Sequence, residues 1–217
     1  MSPDQFFKTH SRITRSLKKF ISDYEAQLDS DTFSAFLQNL SEEISKNADL
    51  INSHTIPEDR ARTLHQLVEI ETEQGNNIPV SCRMGCSACC HMEVEVTSYE
   101  AEILKNLVES GHPVDRARLQ KQSQRSLQDP TWKQGPRNAD SKCVFLGSEG
   151  ACSIYEHRPV MCRRHSVTSP AKNCETLDAP ITLRYFPRVD LLISAANEDT
   201  NMQIGPMAKM LEMALSR

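Results

Sequence analysis

Four of the chain's eight cysteines stand within nine residues, Cys82-Arg83-Met84-Gly85-Cys86-Ser87-Ala88-Cys89-Cys90. Thiolates at such spacings are how proteins hold zinc and iron–sulfur centres. Cys143, Cys152, Cys162 and Cys174 follow one to a segment, so every thiol lies between positions 82 and 174. All eight are candidate metal ligands. Gly85 lets the backbone turn tightly enough for neighbouring thiolates to face a common centre. Cys89 and Cys90 are adjacent and point apart on either a strand or a helix, which suits different irons or different ions better than one. Eight thiols could complete two four-cysteine sites, or one cluster with spare thiols. His91 and His165 lie beside candidate ligands and read as hydrogen-bonding partners of the site.

Other chemistry finds little support. No Ser/His/Asp order, phosphate-cradling glycine loop or carboxylate pair stands out, so no catalytic acid or base is visible. Arg158, Arg163 and Arg164 could hold a substrate carboxylate, but neutralising thiolates explains them without a substrate. Cys82-x3-Cys86-x2-Cys89 has the bare spacing of the radical S-adenosylmethionine enzymes. Ala88 stands where those enzymes place an aromatic, and the repeated strand–helix units of their barrel are not found.

A chain of 217 residues is one large domain or one domain with a helical extension. Its hydrophobic content of 38%, with a single tryptophan, Trp132, predicts a modest core. Metal–thiolate bonds formed only in the folded state would help to stabilise it. The first thirty residues hold no apolar signal core, and no run of eighteen apolar residues occurs, which implies a soluble, cytoplasmic protein without a membrane partner. In that setting cysteines serve as metal ligands more often than as disulfides. The net charge of −4 conceals a division: residues 1–75 carry 8 Lys/Arg against 13 Asp/Glu, and residues 116–174 carry 11 against 4. The basic stretch brackets the later cysteines, where it would offset thiolate charge. The sequence argues against a nucleic-acid target, because aromatic interleaving is absent and the total is acidic.

The elements that must position these thiols are mostly helical. Ser2-Pro3-Asp4-Gln5 opens a helix whose apolar face runs through Phe6, Ile13, Leu17, Phe20, Tyr24 and Leu28. A second starts near Asp31, and a third runs from Thr55-Ile56-Pro57-Glu58 through Ala61, Leu64, Leu67, Val68 and Ile70 to Gly75. Together these three would make a small bundle, with His10, His54 and His65 on its surface or in its packing. Alternation predicts a short strand over Met92–Val96, and Thr97-Ser98-Tyr99-Glu100 is a capping box for the next helix. A weaker helix follows over 114–128, then a loop over 129–142. Two short strands around Gly147–Gly150 would bring Cys143 and Cys152 together, and Pro159 opens a helical turn carrying Cys162. Leu183, Phe186, Val189, Leu192 and Ile193 suggest a helical or mixed segment. A last helix after Gly205-Pro206 fills the core with Met207 and Met210. The fold class is therefore mainly α. An N-terminal helical module (1–75) precedes a small cysteine-rich α+β metal-binding domain with short strands (76–180), and a C-terminal helical segment (181–217) packs on the core.

Cys82-x3-Cys86-x2-Cys89-Cys90, followed by Cys143-x-Phe145-Leu146, Gly150-x-Cys152-x-Ile154-Tyr155 and Arg158-Pro159-x2-Cys162-Arg163, resembles the bacterial CxxCxxCC family of zinc- or iron-chelating domains. The resemblance covers roughly residues 80–175, and the first spacing is three residues where the name-giving motif has two. It implies a metal ion or cluster as partner, with zinc or an iron–sulfur cluster as cofactor. The tight group and its best-matched distant partner, Cys82, Cys86, Cys89 and Cys162, lead the expected ligands. The flagellin lysine N-methylases are relatives with an assigned activity, and transfer of that activity rests on analogy. A zinc-stabilised module docking a protein partner is the third possibility.

Overall fold

The computed structural model describes residues 1–74, 77–127, 139–176 and 178–217. Among them are nine α-helices and two strands: α1 (Pro3–Thr9), α2 (Arg15–Glu25), α3 (Ser30–Asn52), α4 (Pro57–Gln74), β1 (Glu95–Thr97), α5 (Ser98–Glu109), α6 (Arg116–Gln122), α7 (Val160–Arg164), α8 (Pro187–Asn197), β2 (Ile204–Pro206) and α9 (Met207–Leu215). The protein is mainly α, as the apolar periodicities predict. Its contacts divide it into two units, Met1–Gly75 with Tyr185–Met202, and Asn76–Arg184 with Gln203–Arg217. No helix among the described residues is long and apolar enough to cross a membrane.

In the first unit, Ser2 caps α1 by accepting from the Gln5 N–H at 3.3 Å. The single long helix expected from Phe6 to Leu28 is in fact two. Thr14 takes an extended backbone and its hydroxyl accepts from the Leu17 N–H at 3.1 Å, so it begins α2 afresh. A side-chain cap of this kind competes with continuation of the preceding helix. Asp29 likewise caps α3, accepting from the Asp31 and Thr32 N–H groups. Hydrogen bonds from Thr32, its backbone first, hold the Asp29 carboxyl below its usual range. The expected three-helix bundle is completed by α8, which packs against α2, α3 and α4. It is buried on almost every side, from Val189 and Leu192 to Ala195 and Ala196. Ile70, expected in the buried face of α4, is 50% exposed. His10 is buried, with Ser41 Oγ 2.8 Å from Nε2 and Glu198 Oε1 3.2 Å from Nδ1. It is a packing histidine.

The second unit is built on α5 and α9, which lie against each other and against the antiparallel pair β1 and β2. The strand expected over Met92–Val96 forms later and shorter, at Glu95–Thr97, and only Val96 of it is buried. Its partner contains Gly205-Pro206, which the sequence places at a helix start, so α9 begins one residue after the strand ends. The helix expected over 114–128 closes at Gln122, and part of the expected 129–142 loop, with Trp132, falls outside the described residues. Met207, Met210 and Leu211 of α9 join Val96, Ala101, Leu104 and Val108 in one core. Phe145 and Ile154 enter the same core, each two residues after a cysteine.

Candidate metal centre

The nine-residue cysteine segment forms a tight turn followed by one turn of 3-10 helix, Ala88–His91. The Cys86 N–H donates to the Arg83 carbonyl at 3.0 Å, and Gly85 has φ +81. Those are the marks of a type II turn with glycine where positive φ is required. Met84 at its tip is 93% exposed. Later segments close around this stretch. The Cys143 N–H donates to the Cys90 carbonyl at 2.7 Å, and the Ser81 N–H to the Val167 carbonyl at 2.9 Å. Gly150 lies so close to the first turn that an added Cβ would stand 3.4 Å from the Gly85 carbonyl oxygen.

Cys143 and Cys152 occupy equivalent places. The Phe145 N–H donates to the Cys143 sulfur at 3.5 Å, and the Ile154 N–H bonds Cys152 in the same way, holding its thiol lower than burial alone would. Each hydrophobic residue thus anchors in the core while its N–H holds a sulfur packed against that core. The expected pair of strands reduces to one bridge, Leu146 with Cys152, reinforced by the Ser153 N–H on the Phe145 carbonyl at 3.1 Å. Cys162 is carried by α7, whose first N–H, on Val160, donates to Glu100 Oε1 at 2.7 Å. The other Glu100 oxygen completes the capping box with the Thr97 N–H at 2.9 Å. One buried glutamate therefore fixes both α5 and the helix bearing Cys162.

Five thiols are linked by charge interactions with their neighbours in the group: Cys89, Cys90, Cys143, Cys152 and Cys162. A hydrogen bond with Cys89 pushes the Cys90 thiol far up, and burial and the neighbours Cys89, Cys143 and Cys162 add to it. Burial raises Cys143 to about 11, with Cys152 and Cys89 adding to it. Cys162 is raised well above its ordinary value by burial first, then by Cys143, Cys89 and Cys152. Two arginines act in the opposite direction. Arg118 donates to the Cys143 carbonyl at 2.9 Å and lowers that thiol, and Arg158, 3.6 Å above the Tyr155 ring, lowers Cys152 and Cys162. The charge pattern pointed to arginines here. Arg118 itself was not singled out, because its link to Cys143 crosses 25 residues of sequence.

The remaining three cysteines are placed differently. Cys82 is exposed and its sulfur accepts from the Val167 N–H at 3.4 Å. Cys86 follows the type II turn, half-buried, and Cys174 lies in the 3-10 turn Ala171–Glu175, which packs against Ala88–His91. Of the four leading candidates, Cys89 and Cys162 belong to the five-thiol group, and Cys82 and Cys86 are not linked to it. His91 directs Nδ1 to the Ser87 carbonyl at 3.0 Å, and burial, helped by Arg164, lowers His165. All eight sulfurs are unbridged. Among the described residues, no three His, Cys, Asp or Glu side chains already converge at metal-ligand spacing. The five thiols are thus close neighbours whose convergence on one centre requires side-chain rotation. Their chemistry fits a cation: soft donors whose ionisation is opposed by burial and by each other are what a bound metal charge relieves. No curated protein and no solved structure matches the chain. Residues 81–181, which hold all eight cysteines, match the family model CxxCxxCC, described as "Putative zinc- or iron-chelating domain".

Proposed function

We propose that this is a cytoplasmic metal-holding protein whose cysteine-rich region binds a centre through the thiolates of Cys89, Cys90, Cys143, Cys152 and Cys162, with Cys82, Cys86 and Cys174 as the outer thiols. The observation that carries the reading is that five thiols from separated stretches of chain are neighbours. Two of them receive N–H bonds from core residues, and four, Cys90, Cys143, Cys152 and Cys162, have their protons held by burial or by a neighbouring sulfur.

The number of thiols bears on the metal. A mononuclear zinc site takes four ligands, and a group of five neighbouring thiols exceeds that. Cys89 and Cys90 are moreover adjacent in one helical turn, where both reach a single ion only with difficulty. A polynuclear iron–sulfur centre accepts thiolates pointing in different directions. Simple affinity runs the other way and favours zinc over ferrous iron, so zinc is expected to enter during aerobic preparation. Within the site, Arg118 and Arg158 supply compensating positive charge, and Phe145 and Ile154 orient the sulfurs they bond. The centre when bound would supply cross-linking of the four segments and, if it contains iron, one-electron chemistry.

Anaerobic purification with elemental and acid-labile sulfide analysis tests this. Iron and sulfide in similar amounts, with broad visible absorbance, are expected. Colourless anaerobic protein with stoichiometric zinc and no sulfide would leave the thiolate site standing and remove the cluster. Protein that retains no metal under either condition would sink the reading.

A further inference from the structure

A mononuclear zinc site takes four thiolates, and so do the common two-iron and four-iron clusters. The group of five therefore holds one sulfur more than any of these centres uses. Cys143, Cys152 and Cys162 come from separate stretches of chain, are half-buried, and are linked to one another by charge. They make a base of three ligands. The other two members are the adjacent pair Cys89 and Cys90.

The pair sits on the 3-10 turn Ala88–His91, where about three residues per turn set neighbouring side chains roughly 120° apart. A single fourth place therefore takes one of them at a time. Their backbone is pinned: the Cys90 N–H donates to the Ser87 carbonyl at 3.0 Å, the Cys90 carbonyl accepts from the Cys143 N–H at 2.7 Å, and the Cys89 carbonyl accepts from the Met92 N–H at 3.1 Å. The surroundings of the two sulfurs differ. Cys89 is exposed, and each of the other four thiols feels its charge. Cys90 is half-buried, hydrogen-bonded to Cys89 and linked to Cys143 and Cys162. One sulfur of the pair is thus open to an incoming reagent and the other is sheltered.

We propose that Cys89 and Cys90 share the fourth ligand place on the base of Cys143, Cys152 and Cys162, with Cys89 the solvent-side sulfur that exchanges metal with a thiol carrier and Cys90 the resting ligand. On entry the Cys89–metal bond forms as a carrier sulfur–metal bond breaks, and the Cys89 proton passes to the carrier sulfur. Cys90 then takes the place, and its proton passes to Cys89 along the hydrogen bond between them. Release is the reverse, and neither direction needs an oxidant or a reductant. The assignment rests on the reading of these thiols as a metal site and adds how metal enters and leaves it.

The test loads the full-length protein, Cys89→Ser, Cys90→Ser and the double variant with zinc under reducing conditions. Zinc content is measured first, then the rate of zinc transfer to a chromogenic chelator in the presence of reduced glutathione as the carrier thiol. Each single variant is expected to keep the zinc content of the parent, and the double variant to lose most of it. Cys89→Ser should give zinc up several-fold more slowly than the parent, and Cys90→Ser several-fold faster. A single variant as depleted as the double one would make its sulfur a permanent ligand, and transfer rates equal in parent and single variants would remove the exchange role; either overturns the assignment and leaves the metal site standing. A parent that takes up no metal would instead remove the metal reading, and the assignment with it. Iodoacetamide treatment of the zinc-loaded parent, read by tandem mass spectrometry, needs no variant. Cys89 is expected to be alkylated before Cys90, Cys143, Cys152 and Cys162, and alkylation of Cys89 no faster than theirs would overturn the assignment.

Discussion

At Cys143 three separate backbone bonds meet around one thiol: its own N–H reaches Cys90, its carbonyl receives Arg118, and the Phe145 N–H reaches its sulfur. A residue held this way is expected to matter more than an exposed thiol such as Cys82. Alanine at Cys143 or Cys162 should remove most of the bound metal and lower the melting temperature by several degrees, while alanine at Cys82 should cost less of both. Metal analysis and melting of the three variants check this, and equal losses at all three positions would dissolve the distinction between inner and outer thiols. The same thiol fixes a pH effect. Held at about 11 against an ordinary 9.0, it keeps a proton over a window in which the unfolded chain has released one. Metal-free protein should therefore lose stability as pH rises through that window, by on the order of 3 kcal/mol for two units. Bound metal, which needs the thiolate, should abolish the loss and shift the sensitivity to acid, where protons compete for the ligands. Urea unfolding of both forms at pH values from below 9.0 up to about 11 measures it. All eight cysteines were legible as candidates from type and spacing. Their surroundings were not, because these depend on partners such as Val167 and Arg118 that stand 85 and 25 residues away.

Elements here are stopped and started by single side chains, which explains where periodicity succeeded and where it did not. The capping box at Thr97 and Glu100 was readable because both halves lie within four residues. The second role of Glu100, accepting the Val160 N–H that opens the Cys162 helix, was hidden by a separation of 60 residues. Glu100→Ala should then cost about 2 to 4 kcal/mol, combining a lost cap with a buried N–H left without its acceptor. It should also loosen Cys162, seen as faster alkylation of that thiol in metal-free protein. Glu100→Gln, which keeps an acceptor, should recover much of the loss, and a neutral result for alanine would show that the tether is unimportant. In the first unit, the apolar repeat from Phe6 to Leu28 passes over Thr14 without a break in phase. The repeat reports which side is buried, and only the Thr14 cap reports that the helix restarts. At Gly85 the type II turn asks for positive φ, while space around an added Cβ is open. Gly85→Ala should accordingly cost about 1 kcal/mol of strain with no clash, measurable as a small fall in stability and in metal affinity together.

For the whole molecule, the division of the chain after the cysteines has consequences that no local pattern carries. Tyr185–Met202 joins the first unit and Gln203–Arg217 the second, although both read in sequence as one C-terminal helical segment. The apolar residues Val189, Leu191, Leu192, Ile193, Ala195 and Ala196 of α8 were the available signal, since a helix apolar on more than one face must sit inside a bundle. Choosing which bundle requires knowing that Thr14 bonds Asp190 at 3.0 Å and that Arg188 reaches Glu43 and Glu71. The first unit contains none of the eight cysteines, and its stability should rest on its own caps, buried faces and these ties. Removal of metal by a chelator should therefore leave amide protection in α2, α3, α4 and α8 largely intact and collapse it around Cys143, Cys152 and α7. Zinc bound to a small thiolate site contributes on the order of 10 kcal/mol to folding, comparable with the whole net stability of a domain, so the second unit should open extensively, with α5 and α9 the last to lose protection because their mutual contact needs no thiol. Hydrogen exchange with and without chelator resolves the units segment by segment. Loss of protection in α3 and α8 at the same rate as at α7 would mean that the two units unfold as one, and that the cysteine region holds up the whole chain.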